Sequence, residues 1–101
     1  MTKEFTRDDY AACLNTDFIF TFSPELKVPM KLAEVTEEVE RFRQRTFVLT
    51  FTAPEDTPIV QGTGPFENEK LGPGEVFIVP VGKDKRGVLF EAVFNKLVDE
   101  D

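Results

Sequence analysis

A chain of 101 residues can hold one hydrophobic core and no second domain, so residues 1–101 are expected to form a single unit without an interdomain cleft. Its 19 acidic residues against 12 basic ones give a formal charge of −7, which repels phosphate backbones and anionic headgroups and speaks against nucleic acid or a membrane surface as partner. With no histidine and a single cysteine, Cys13, one chain cannot assemble a Ser-His-Asp or Cys-His mechanism, the usual zinc site or an internal disulfide, so no catalytic residue, metal or cofactor is expected.

The opening stretch MTKEFTRDDYAACLNTDF carries charges every few positions and no apolar run of signal-peptide type. No later stretch approaches membrane-spanning length, and the expectation is a soluble, cytoplasmic protein. Within this stretch Thr6 followed by Asp9 has the spacing of a capping box, and Phe5 and Tyr10 sit where a hydrophobic staple closes over a first helical turn. A short helix is predicted over Arg7–Leu14, with Asn15 as its stop and Cys13 as a packed thiol rather than a nucleophile.

From Asp17 onward the period becomes that of strands. Phe18, Phe20 and Phe22 share one face of DFIFTF. A second strand is predicted over Pro29–Val39, and the parity switch from Met30 and Leu32 to Val35 and Val39 calls for a bulge near Ala33 and Glu34. In TFVLTFTA, Phe47, Leu49, Phe51 and Ala53 alternate with Val48, Thr50 and Thr52, as on a half-buried antiparallel strand. IVQGT, EVFIVPV and VLFEAVFN complete the set, separated by PEDTP, ENEKLGPG and GKDKRG. The glycines of QGTG and LGPGE lack phosphate-loop or dinucleotide spacing and read as turns and bulges.

About six short strands joined by turns predict a mainly β fold, an antiparallel meander rolled into a small barrel or a two-sheet sandwich, with the helix over one open end. Eleven phenylalanines without tryptophan suit a solid interior better than a water-lined cavity. Unpaired strand edges leave room for a homo-oligomer.

The order Gln61-Gly62-Thr63, Leu71-Gly72, Val76-Phe77-Ile78-Val79-Pro80-Val81 and Phe90-Glu91-Ala92-Val93-Phe94-Asn95 resembles a small bacterial family of single-domain proteins of unknown function. Phe5, Leu14, Phe18, the Leu32–Val35 stretch and Phe47-x-Leu-x-Phe51 extend the resemblance over nearly the whole chain. After QGT the chain departs from the family pattern, with Gly64-Pro65-Phe66 in place of a tyrosine-type continuation. The resemblance implies a compact β-rich fold and gene company with phage-tail-like systems, and it supplies no catalytic residues.

Two constellations could carry a function. Glu91 interrupts an apolar strand on the face opposite its phenylalanines, and with Gln61 and Asn95 it is either a structural polar group or a recognition cluster for a peptide or small polar ligand. In RFRQR, Arg41, Arg43 and Arg45 have one parity and flank Phe42, a combination able to grip an acidic protein surface through paired guanidinium bonds, or else a solvated hairpin tip. The terminal DED reads as a flexible acidic tail over 98–101. The leading reading is a non-catalytic protein-interaction or assembly module with an unidentified protein partner. A small-ligand-binding barrel is the alternative, and a carboxylate enzyme built on Glu91 comes last.

Overall fold

A computed structural model of the chain describes residues 5–97, with one helix and seven strands. The helix, α1 (Arg7–Ala11), starts as the capping box requires. Thr6 Oγ1 accepts from the Asp9 N–H at 3.1 Å, and Asp9 Oδ2 accepts from the Thr6 N–H at 2.8 Å. Phe5 and Tyr10 close over this turn edge to face, with centroids 5.8 Å apart. The helix stops at Ala11, earlier than Leu14, because the Cys13 and Leu14 N–H groups donate in tighter turns to the Tyr10 and Ala11 carbonyls, and Asn15 leaves through a left-handed φ of 68°.

The strands are β1 (Asp17–Ser23), β2 (Leu26–Val35), β3 (Val39–Arg41), β4 (Gln44–Ala53), β5 (Gly62–Asn68), β6 (Gly72–Asp84) and β7 (Gly87–Leu97). They form one antiparallel sheet in the order β2-β1-β5-β6-β7-β4-β3, and an additional β2–β4 pairing closes six of them into a near-barrel ring. The closed ring decides for the barrel over the sandwich. It is not a simple meander, since β4 and β5 follow one another in the chain without being neighbours. Strands β1–β4 and β5–β7 are two meanders linked by residues 54–61 and joined along two seams. The β4–β7 seam runs from Gln44 opposite Leu97 to Ala53 opposite Val88, whereas the β1–β5 seam pairs only Phe18–Phe20 with Phe66–Asn68.

Several strand boundaries differ from those expected: β2 starts at Leu26 rather than Pro29, and β6 runs from Gly72 to Asp84, so glycines and charges read as turns on both sides of EVFIVPV lie in its ladder. The second predicted strand divides into β2 and β3, which lie in succession along one edge of β4. Thr36 bridges the division: its N–H donates to the Val48 carbonyl at 3.0 Å, and its Oγ1 accepts from the Val48 N–H at 2.8 Å. The predicted bulge is present, as a register shift between Leu32 and Glu34. β5 begins at Gly62 rather than Ile59 and continues through Gly64-Pro65-Phe66, with Gly64, Phe66 and Asn68 pointing inward. Gly64 suits that inward position because a Cβ there would press on the rings of Phe20 and Phe22.

Alternation then fills the ring. Phe18, Phe20, Leu49, Phe51, Phe66, Ile78, Val88 and Phe90 are all buried. Phe51 meets Phe18 and Phe20 edge-on at 5.3 and 5.4 Å, and Phe66 meets Phe18 edge-on at 5.0 Å. Such edge-to-face pairs add to the area they bury, by about 0.5–1.5 kcal/mol each. Tyr10 enters the same core from α1, beside Phe18, Phe47 and Phe94. Cys13 is buried below it. No helix among the described residues is long and apolar enough to cross a membrane. The acidic tail expected at 98–101 lies outside the described residues.

Candidate functional site

β3 and β4 are joined by a two-residue turn, Phe42-Arg43, with φ values of 51° and 66°. Two consecutive left-handed residues match the twist of a tight hairpin, but the side chains that adopt them readily are Gly, Asn and Asp. Phe42 and Arg43 hold this shape against a steric penalty of about 1–2 kcal/mol per residue. The turn leaves Phe42 96% exposed, the most exposed large apolar side chain among the described residues.

The shared parity of the three arginines does not place them on one face. The turn intervenes, so Arg41 stands opposite Gln44 while Arg45 stands opposite Glu40 on the other side of the hairpin. Arg45 Nε donates to Glu40 Oε1 at 3.3 Å. Arg41, Phe42 and Arg43 therefore form the tip, and Arg45 belongs to its inner base.

The structure does not gather Gln61, Glu91 and Asn95 into one site. Glu91 lies half-buried on the outer wall between Thr50 of β4 and Val79 of β6, and no side-chain hydrogen bond or ion pair among the described residues reaches its carboxylate. Gln61 precedes β5, with β6 between it and β7. Asn95 is about 13 Å further along β7 by strand rise. There its Oδ1 accepts a cross-strand bond from Thr46 Oγ1 at 2.6 Å. Arg86 of the β6–β7 turn is held by Asp84 at 2.8 Å, and that bond lowers the Asp84 pKa.

Beneath the tip lies a cleft of about 810 Å³ that sequence reasoning did not anticipate. Its floor is aromatic: Phe5, Tyr10, Phe47 and Phe94, with the last two stacked at 4.7 Å. These residues come from the N-terminal segment, α1, β4 and β7, and the sequence pattern marks each of them only as core or staple. Burial, with a smaller contribution from Asp9, pushes the Tyr10 phenol well above its ordinary pKa. Where β4 and β7 leave the barrel, the inward pair Phe47–Phe94 gives way to Arg45–Lys96, so the floor passes into a charged rim. Asp8, Glu37, Glu38 and Glu75 supply its acidic side. Arg7 is tied to the Thr36 carbonyl at 2.9 Å, to Asp8 at 3.1 Å and to Glu37 at 3.4 Å. The cleft lies at one end of the barrel, whose own interior is filled by side chains.

Among the described residues, no group of three or more His, Cys, Asp or Glu side chains could hold a metal ion. No curated protein and no solved structure matches the chain. Residues 5–94 match the model of a family described as a domain of unknown function, DUF6916, and the chain belongs to that family.

Proposed function

We propose that the protein is a non-catalytic interaction or assembly module of the cytoplasm that docks its β3–β4 tip against a protein partner. One observation carries this reading: a phenylalanine 96% exposed on a turn whose two residues both occupy the left-handed region. The left-handed backbone at Phe42 and Arg43 costs stability while the exposed ring contributes none, and this strain held at one aromatic, cationic tip supports reading it as a surface kept for contact. Arg41 and Arg43 flank the ring on a chain of net charge −7, so the complementary surface is an apolar pocket bordered by carboxylates. A phage-tail-like assembly is the setting that the bacterial family resemblance suggests.

The test is quantitative affinity purification from the native host with wild type, Phe42→Ala and an Arg41/Arg43/Arg45 triple-alanine variant. A protein enriched by wild type, and reduced at least tenfold by both variants while their melting temperatures hold, supports tip docking. Equal recovery by all three removes the tip from the contact.

A further inference from the structure

Among the described residues, the ring opens between β6 and β7. Their pairing ends at Val79 opposite Glu91, yet β7 continues to Leu97 along β4, and β6 runs back to Gly72 along β5. Beyond Glu91, no strand among the described residues pairs with the edge of β7 that faces β6. The cleft lies in this breach, with Glu75 on the β6 side and Phe94 and Asn95 on the β7 side.

The prolines fix which backbone groups face it. Proline donates no hydrogen bond, so the pairs Pro65–Glu75 and Glu67–Pro73 between β5 and β6 are the non-hydrogen-bonded ones. Odd-numbered residues of β6 in this stretch therefore aim their backbone groups away from β5, and Val79 uses them to bond Glu91. By the same alternation Val93, Asn95 and Leu97 aim N–H and C=O into the breach, while Ala92 and Phe94 bond β4. Pro73 removes a donor from the facing edge of β6, and no proline blunts β7.

Side chains on both faces suit a strand placed there. Inside the breach are Phe94, Tyr10 and Phe5, and on the outer surface Phe77 and Val93 flank it at 55% and 53% exposure. At the rim Arg7 and Arg45 are already held by carboxylates, whereas no ion pair among the described residues reaches Glu38 or Glu75.

We propose that the breach is a strand-addition site, in which an extended peptide of a partner protein pairs with β7 at Val93–Leu97, buries apolar side chains in the aromatic cleft and presents lysine or arginine to Glu38 and Glu75. Backbone bonds supply affinity and the alternating pockets supply selectivity. The inference goes beyond docking at the Phe42 tip, and its test uses other variants, so either reading can fail alone.

A displayed library of random twelve-residue peptides is selected on the immobilised full chain, and the enriched peptide is synthesised both unmodified and N-methylated at alternate residues. The expected winner alternates apolar positions, carries lysine or arginine, and shifts the amide resonances of Val93, Asn95 and Phe47. It binds at least tenfold more weakly to a Glu38→Lys/Glu75→Lys variant, loses affinity on N-methylation in one of the two alternate phases, and binds Phe42→Ala as it binds wild type. Lack of enrichment over bare support overturns the proposal, as do shifts confined to another surface or equal affinity of both N-methylated forms. Concentration-dependent shifts of the same amides without peptide would assign the breach to a second copy and also overturn it.

Discussion

The buried amide of Asn68 reaches across 52 residues of sequence to Thr16, donating from Nδ2 to Thr16 Oγ1 at 3.1 Å. The same nitrogen donates to the Asp17 carbonyl at 3.0 Å. On the other side, Oδ1 accepts from the N–H groups of Lys70 and Leu71 at 2.9 and 3.1 Å and from Cys13 Sγ at 3.4 Å. One side chain thereby fastens the β5–β6 turn to the start of β1. Asn68→Ala leaves several of these partners unsatisfied and should lower stability by about 2–4 kcal/mol in urea denaturation. Asn68→Asp should also destabilise, because it replaces two donors with a buried charge.

At the hairpin tip, replacing Phe42-Arg43 with Asn-Gly supplies residues that accept the left-handed region. The double variant should gain about 1–2 kcal/mol, seen as a melting temperature several degrees higher, and should lose tip-dependent partner capture. A gain in stability with capture intact would show that the turn sequence is not kept for contact.

Gly87 ends the β6–β7 turn at a φ of 125°, where a Cβ would overlap the carbonyl oxygen of Ala53. Neither the backbone nor that oxygen can yield without disturbing the β4–β7 seam. Gly87→Ala should therefore cost on the order of 3 kcal/mol or more, measurable by thermal unfolding.

Tyr10 predicts an alkaline limit. Its folded pKa is raised by burial and then by Asp9, above the 10.0 of the free phenol. Below pH 10 the phenol is neutral in both states and contributes no pH dependence. Above it the unfolded chain loses this proton while the native chain keeps it, so the unfolded state binds fewer protons and stability falls as pH rises. The slope from this one group approaches about 1.4 kcal/mol per pH unit. Tyr10→Phe should remove that part of the decline between pH 10 and 12, read as the difference between two stability curves.

The fold was legible wherever one face of an element is apolar. Phe18 and Phe20, and the run from Phe47 to Ala53, turn inward as their alternation requires, and the parity switch at Ala33 located a real bulge. Ring closure was not legible, because alternation names the buried face and not the neighbouring strand. Ile59 and Val60 resemble a strand but lie outside the ladder, and only pairing distinguishes them from Gly62–Asn68. The tip could be suspected from Phe42 between arginines. The cleft could not, since Phe5, Tyr10, Phe47 and Phe94 converge only after both seams form, and Glu91, the residue most out of place in its strand, faces outward beside Thr50.

Two meanders joined by two seams also set how the chain finds its shape. The hairpins within each meander are local and can form in microseconds, but neither half encloses a core by itself. Closure brings together residues 49 apart at Thr46 and Asn95 and 51 apart at Asp17 and Asn68, so loop entropy is lost before most aromatic contacts compensate it. Such a topology should fold cooperatively and more slowly than a helical domain of the same length. Between the two seams, the three-pair β1–β5 register is the shorter, so native-state openings should begin there and its amides should exchange faster than those of the ten-pair β4–β7 seam.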